Sequence, residues 1–156
     1  MCVCGIAVTC LYGLEGACLN KAERNKLDGF HARCVRRILK ISPSFISRVS
    51  NNYVLREMGT IPLSEILQQR QLNFLSHIYC EADDHPLRSA IFMPGSVQLC
   101  RLDERKRGRP RTEWAPSVVS LALQIAGDAH RLNLYLRDPA KWKDKVKKHF
   151  HDLHHL

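Results

Sequence analysis

Apolar and polar positions along this chain recur at helical spacing almost throughout. Asn20 can cap a helix from Lys21 to about Lys40, in which Leu27, Phe30, Cys34 and Ile38 repeat at intervals of three and four and predict one apolar face. Arg33, Arg36, Arg37 and Lys40 fall on the remaining faces. Ser42-Pro43 closes the segment, because the residue before a proline avoids the helical region. Ser50 is placed to cap a short helix from Asn51 to Met58, with Gly59 as its left-handed stop. Pro62 stands where a first helical residue belongs, and Leu63 to Cys80 forms the next helix, with Leu63, Ile66, Leu67, Phe74, Leu75 and Ile78 as its buried stripe.

Asp83-Asp84-His85-Pro86 has turn composition, and Leu87 to Met93 fits either a helical turn or a short extended run. Pro94 to Arg111 combines glycine, proline and a dense basic run and is expected to be an exposed loop. Thr112 can cap a helix reaching Ala126, with Trp114, Val118, Leu121 and Ile125 inward and Pro116 tolerated in the first turn. Gly127 ends it, and Asp128 to Leu136 continues as a further helix. Asp138-Pro139 is a strong start for a last helix, whose apolar stripe is Trp142, Val146 and Phe150. No stretch alternates as a strand does, and no repeat recurs at a solenoid period. The expected fold class is all-α, an irregular array of about five to six helices with one long basic loop. The expected regions are an apolar segment 1–19, a helical region 20–93, the loop 94–112, a second helical region 113–150 and a histidine-rich tail 151–156.

Charge changes this picture more than composition does. With 45% hydrophobic and 25% charged residues in 156, the chain has enough apolar side chains for a core without disulfides or metals. Lysine and arginine number 24 against 15 acidic residues, a formal charge of +9. Such a balance points to a polyanion, since each neutralised phosphate releases condensed counterions. The cations cluster in three places: Arg33, Arg36, Arg37 and Lys40; Arg105, Lys106, Arg107, Arg109 and Arg111; and Lys141, Lys143, Lys145, Lys147 and Lys148. No basic amphipathic helix with exposed aromatics is evident, so nucleic acid is preferred over a membrane surface.

Seven irregularly spaced cysteines make a poor disulfide framework and fit a reducing compartment with mostly buried thiols. Met1 to Leu19 is apolar but lacks a basic start and is broken by Gly13, Glu15 and Gly16, which disfavours a signal peptide or a membrane span. The expected location is nuclear or cytoplasmic rather than secreted.

Lys106-Arg107-Gly108-Arg109-Pro110-Arg111 looks like an AT-hook. The glycine would let the backbone lie deep in a narrow minor groove, and the arginines would follow the groove floor, where the negative potential is strongest. The plainer alternative is a basic loop touching phosphates. Asp83-Asp84 resembles a metal-binding carboxylate pair, but it follows a helix rather than sitting in a β-hairpin, so a turn is the better reading. His151 and His155 could share a helical face as a zinc pair, and Cys2 and Cys4 could add two thiolates, yet no spacing links them. No metal or cofactor is expected. Cys34 and Cys80 lie beside apolar stripes and fit core packing. Neither a nucleophile elbow nor a phosphate-cradling glycine loop occurs.

Five blocks in order carry a family resemblance: Leu11-Tyr12-Gly13-Leu14-Glu15, Phe30 to Leu39, Arg70 to Ile78, Asp83-Asp84-His85-Pro86, and Arg107 to Arg111 with Trp114. Together with the ending around Trp142 they resemble the region C-terminal to the polymerase core of non-LTR retrotransposon reverse transcriptases. The resemblance spans residues 10 to about 148. It departs at Ala17, where the family carries a tryptophan, which fits a truncated copy.

The resemblance implies thumb and post-thumb helices that grip a template–primer duplex or target DNA. It implies that the catalytic motifs of the RNA-directed DNA polymerase lie upstream, so this chain is expected to be non-catalytic and to partner DNA, RNA or a hybrid, with a polymerase domain as neighbour. Two other readings stand beside it: a helical protein-interaction module, and an independent AT-hook binder of DNA.

Overall fold

A computed structural model describes the chain over residues 3–100 and 113–154. Among these residues there are nine helices and no strand, so the fold is all-α. Three short elements raise the number above the five or six expected: α1 (Val3–Leu11), α3 (Ser44–Ser47) and α6 (Pro86–Ile91). The others are α2 (Lys21–Ile38), α4 (Asn51–Glu57), α5 (Leu63–Cys80), α7 (Trp114–Ala126), α8 (Ala129–Leu136) and α9 (Pro139–His154). The chain divides into two compact units, Met1–Gln68 and Gln69–Leu156, and the division falls inside α5 rather than at the basic loop.

In the first unit, α2 starts at a reciprocal capping box. The Asn20 side chain accepts from the Glu23 amide at 3.0 Å, while the Glu23 carboxylate accepts from the Asn20 amide at 2.7 Å. The helix ends at Ile38, ahead of the Ser42-Pro43 pair. Lys40 adopts φ 55°, the Ile41 amide donates to the Arg36 carbonyl at 2.9 Å, and the Lys40 amide donates to Arg37 at 3.4 Å. This is a Schellman stop with lysine where glycine is usual. The next helix, α4, starts with Ser50 accepting from the Tyr53 amide and stops in the same way at Gly59, φ 65°, with Thr60 donating to Leu55 at 2.9 Å.

The buried face of α2 is not the one expected. His31, Ala32, Val35 and Arg36 turn inward, while Phe30 is exposed and Leu27, Cys34 and Ile38 are half-buried. The face is rotated by about one residue's turn, ~100° around the axis. Two small apolar clusters explain it. Val35 packs with Val54 and Leu55, extended by Leu39, Ile41 and Met58, and Leu11 packs with Leu63 and Leu67, extended by Leu14 and Leu27. Asp28 also lies toward the interior of this unit, where its carboxylate accepts from the Ser64 amide at 2.8 Å and the Ser64 hydroxyl at 2.7 Å. It thereby caps the start of α5 from a distant helix.

The second unit has one core. Trp142, Val146 and Phe150 of α9 are buried as expected, and the indole N–H of Trp142 donates to the Leu72 carbonyl at 2.8 Å. Leu72, Leu75, Ile78 and Tyr79 of α5 face them, although only Leu75 and Ile78 were in the expected stripe; Phe74 is half-buried and meets Trp114 edge-on at 5.8 Å. Glu113, not Thr112, occupies the cap position of α7, whose buried side chains are Val118, Val119, Ala122, Ile125 and Ala126. Trp114 and Leu121 pack at the edge of this core.

After α6, the chain does not run straight into a loop. Phe92 bridges Leu99, Met93 donates to Gln98 at 2.8 Å, and Cys100 donates to Ile91 at 2.9 Å, with Gly95 at φ 69° in the bend. Residues 94–100 therefore form a tight return whose Val97 and Leu99 pack on the core. Helix α9 likewise continues to His154 instead of ending at residue 150.

Candidate nucleic-acid interface

Helix α2 sets out its cations by its phase. With His31, Ala32 and Val35 inward, the positions Lys26, Phe30, Arg33 and Arg37 fall three or four apart on the opposite side, and all four are exposed. Lys40 follows, exposed, at the left-handed stop. Nothing acidic competes nearby in sequence: Gly29 to Arg56 contains no aspartate or glutamate. Arg33, Arg37 and Lys40 are exposed, in a stretch bounded by Asp28 and Glu57.

Arg36 is not, and this corrects its expected phosphate role. It is 4% exposed, and its guanidinium closes the segment that follows α2. Nε donates to the Asn51 side-chain oxygen at 3.4 Å; Nη1 donates to the Ser42 carbonyl at 3.1 Å and the Ser47 hydroxyl at 3.3 Å. Nη2 donates to the Val49 carbonyl at 2.6 Å and to Asn51 at 3.1 Å. All five N–H groups of the fork are used. The side chain binds its own loop and has no donor left for a ligand. The sequence signal was slight: only the polar run Ser42 to Asn52 around Pro43 offers so many acceptors.

The fold exposes residues that the sequence pattern left unmarked. Phe45 and Ile46 of α3 are 81% and 63% exposed, Arg48 beside them is exposed at φ 54°, and Arg56 is exposed on α4. The loop that carries Phe45, Ile46 and Arg48 is the one that Arg36 ties.

In the second unit, Trp142, Val146 and Phe150 fix α9 against the core, which sends its lysines outward. Lys141, Lys145 and Lys148 recur at four and three and share a stripe; Lys143 and Lys147 lie on the other flank, across the buried line of Trp142, Val146 and Phe150. They differ in freedom. Lys141 pairs with Asp138 at 3.1 Å, and the Lys141 backbone amide, donating to the same carboxylate, is the main cause that holds Asp138 below its usual range. Lys145 is half-buried with its ammonium 5.9 Å from the Tyr135 ring centre. Lys143, Lys147 and Lys148 are exposed.

Arg105, Lys106, Arg107, Arg109 and Arg111, with the AT-hook-like run, lie outside the described residues, as do Thr112, Cys2 and His155; the Cys4 side chain is likewise not described.

Asp83-Asp84 is in a turn, as expected, with the His85 amide donating to Ala82 at 2.9 Å. Asp83 is engaged by Arg88 at 2.6 Å, and that guanidinium also lies 4.4 Å from the Tyr79 ring centre. Among the described residues no group of three His, Cys, Asp or Glu side chains is arranged to hold a metal ion. None of the five described cysteines is fully buried, against expectation: Cys80 is exposed, and its sulfur contacts the Leu136 carbonyl at 3.2 Å. Partial burial of that sulfur pushes the thiol above its ordinary value. No described helix is long and apolar enough to cross a membrane.

His31 is the unusual titratable group. It is fully buried, and neither ring nitrogen has a hydrogen-bond partner. Desolvation lowers its pKa, and the Asp28 charge partly opposes this. Comparison with protein-family models, curated proteins and solved structures returns no match to this chain.

Proposed function

We propose that this chain is a non-catalytic nucleic-acid-binding fragment of the kind that follows the polymerase core in non-LTR retrotransposon reverse transcriptases. In this reading it holds template–primer or target DNA by its phosphates and leaves chemistry to a neighbouring polymerase domain. The observation that supports it best is the outward stripe of α2. Arg33 and Arg37 are exposed one turn apart, in a stretch from Gly29 to Arg56 that holds no carboxylate. The outward lysines of α9 add to it. Such cations release condensed counterions when they meet a sugar-phosphate backbone, so affinity should fall steeply with salt.

The test is a salt titration of a fluorescent duplex and a matching single strand against the full chain. Binding that weakens linearly in log salt supports the reading. Replacing Arg33 and Arg37 together with alanine should flatten the slope by about one to two units. Absence of binding at about 50 mM salt, or binding indifferent to salt, overturns it.

A further inference from the structure

We propose that the first unit binds unpaired nucleotides, with bases stacked on the exposed rings of Phe30 on α2 and Phe45 on α3, and with phosphates met by Arg33, Arg37 and Lys40. This rests on the nucleic-acid reading above and names the form of nucleic acid that the unit selects.

Phe45 is the first observation. An 81% exposed phenylalanine beside a 63% exposed isoleucine contributes little to either apolar cluster of this unit. An apolar side chain left in water gains only when something covers it. The loop beneath is nevertheless fixed: five donors of one buried arginine hold Ser42, Ser47, Val49 and Asn51. A ring presented on a tied loop loses little conformational freedom on binding.

Phe30 is the second. It sits on the exposed stripe between Lys26 and Arg33, so an aromatic face is interleaved with cations along one helix side, a basic helix with an exposed aromatic that the sequence pattern had not shown because it turned Phe30 inward. The occupant is set by charge. Arg33, Arg37, Lys40, Arg48 and Arg56 are exposed, and no acidic residue lies between Gly29 and Arg56. An acidic partner with flat apolar surfaces fits both features. Unpaired nucleotides supply a negative backbone and a π-face at every step, whereas a duplex keeps its bases stacked on one another.

The experiment compares a single-stranded oligonucleotide of about 12 nucleotides with a duplex of the same length, both against the full chain and its Phe45→Ala and Phe30→Ala variants. Phe45 is so exposed that its removal leaves the core intact. Each variant should bind the single strand about 5- to 100-fold more weakly and the duplex within about twofold of the parent, with the salt slope unchanged. Phe45→Trp should retain affinity, and the oligonucleotide should quench fluorescence that is absent from the parent at that site. If neither probe binds the parent, the broader nucleic-acid reading fails and takes this one with it. If both probes bind and the variants leave single-strand affinity unchanged, or lower both affinities equally, stacking alone is overturned. A parent that self-associates in sedimentation, with Phe45→Ala monomeric and its oligonucleotide affinity unchanged, overturns it in favour of a second copy of this chain.

Discussion

The two units of this chain are held together in different ways. The second is organised around volume: Trp142, Phe92 and Phe150 sit among Leu72, Leu132 and Leu136 in one continuous apolar core. Among the described residues the first has two small apolar clusters, and polar contacts add to them. Arg36 gathers the loop after α2, Asp28 caps α5, and His31 is buried without a partner. Apolar packing tolerates small shifts in direction, whereas hydrogen bonds fix direction closely. In the first unit the loop after α2 is thus held by directional bonds to Arg36. That loop carries the exposed Phe45 and Arg48.

Breaking the larger core should have the largest effect. Trp142→Ala leaves a cavity and removes the indole bond to the Leu72 carbonyl, and should destabilise the second unit by about 3–5 kcal/mol. Hydrogen exchange resolved by segment checks this: protection should collapse in α7 to α9. Arg36→Ala should come next, at about 2–4 kcal/mol in the first unit, because the Ser42 and Val49 carbonyls lose their donors. Arg36→Lys should not restore it, since a lysine has three donors on one nitrogen and cannot span the same acceptors. Urea unfolding read at α3 and α4 separates these outcomes, and full recovery by lysine would mean that charge alone matters there.

Acid should separate the units further. His31 has a folded pKa below its ordinary value of 6.5, so the unfolded chain takes up a proton first as pH falls. Stability of the first unit should therefore be fully present above about pH 6.5 and decline below it until the folded histidine is also protonated. His31→Phe, which removes the unpartnered nitrogens while filling the site, should abolish that part of the slope in a pH series of unfolding curves. The smallest effect is expected at the left-handed stop of α2. Lys40→Gly should stabilise by about 0.5–1 kcal/mol, because glycine adopts positive φ without the steric cost. Nucleic-acid affinity should fall modestly at the same time, since one exposed cation is lost. A destabilised Lys40→Gly would show that the lysine stem packs on its surroundings.

Much of this was legible in the residues. The caps Asn20, Ser50 and Asp138, the stop at Gly59, the extent of α5 and the stripe Trp142–Val146–Phe150 follow from local rules, because each depends on neighbours within four or five positions. Periodicity failed at α2. It offered Leu27, Phe30, Cys34 and Ile38 as an inward face, and the face that actually packs contains a histidine and an arginine. It also passed over the return at 94–100, whose pairing of Phe92 with Leu99 has no alternating run to announce it.

The sequence by itself determined where the six longer helical stretches after residue 20 lie and how much positive charge the chain carries, since these are properties of short stretches and of totals. Only the tertiary structure decided which cations face water. Arg33, Arg36 and Arg37 are equivalent by composition, yet a guanidinium can be buried when carbonyls six to thirteen residues away converge on its fork. Where those carbonyls converge depends on the folded path of the loop, which no local pattern records.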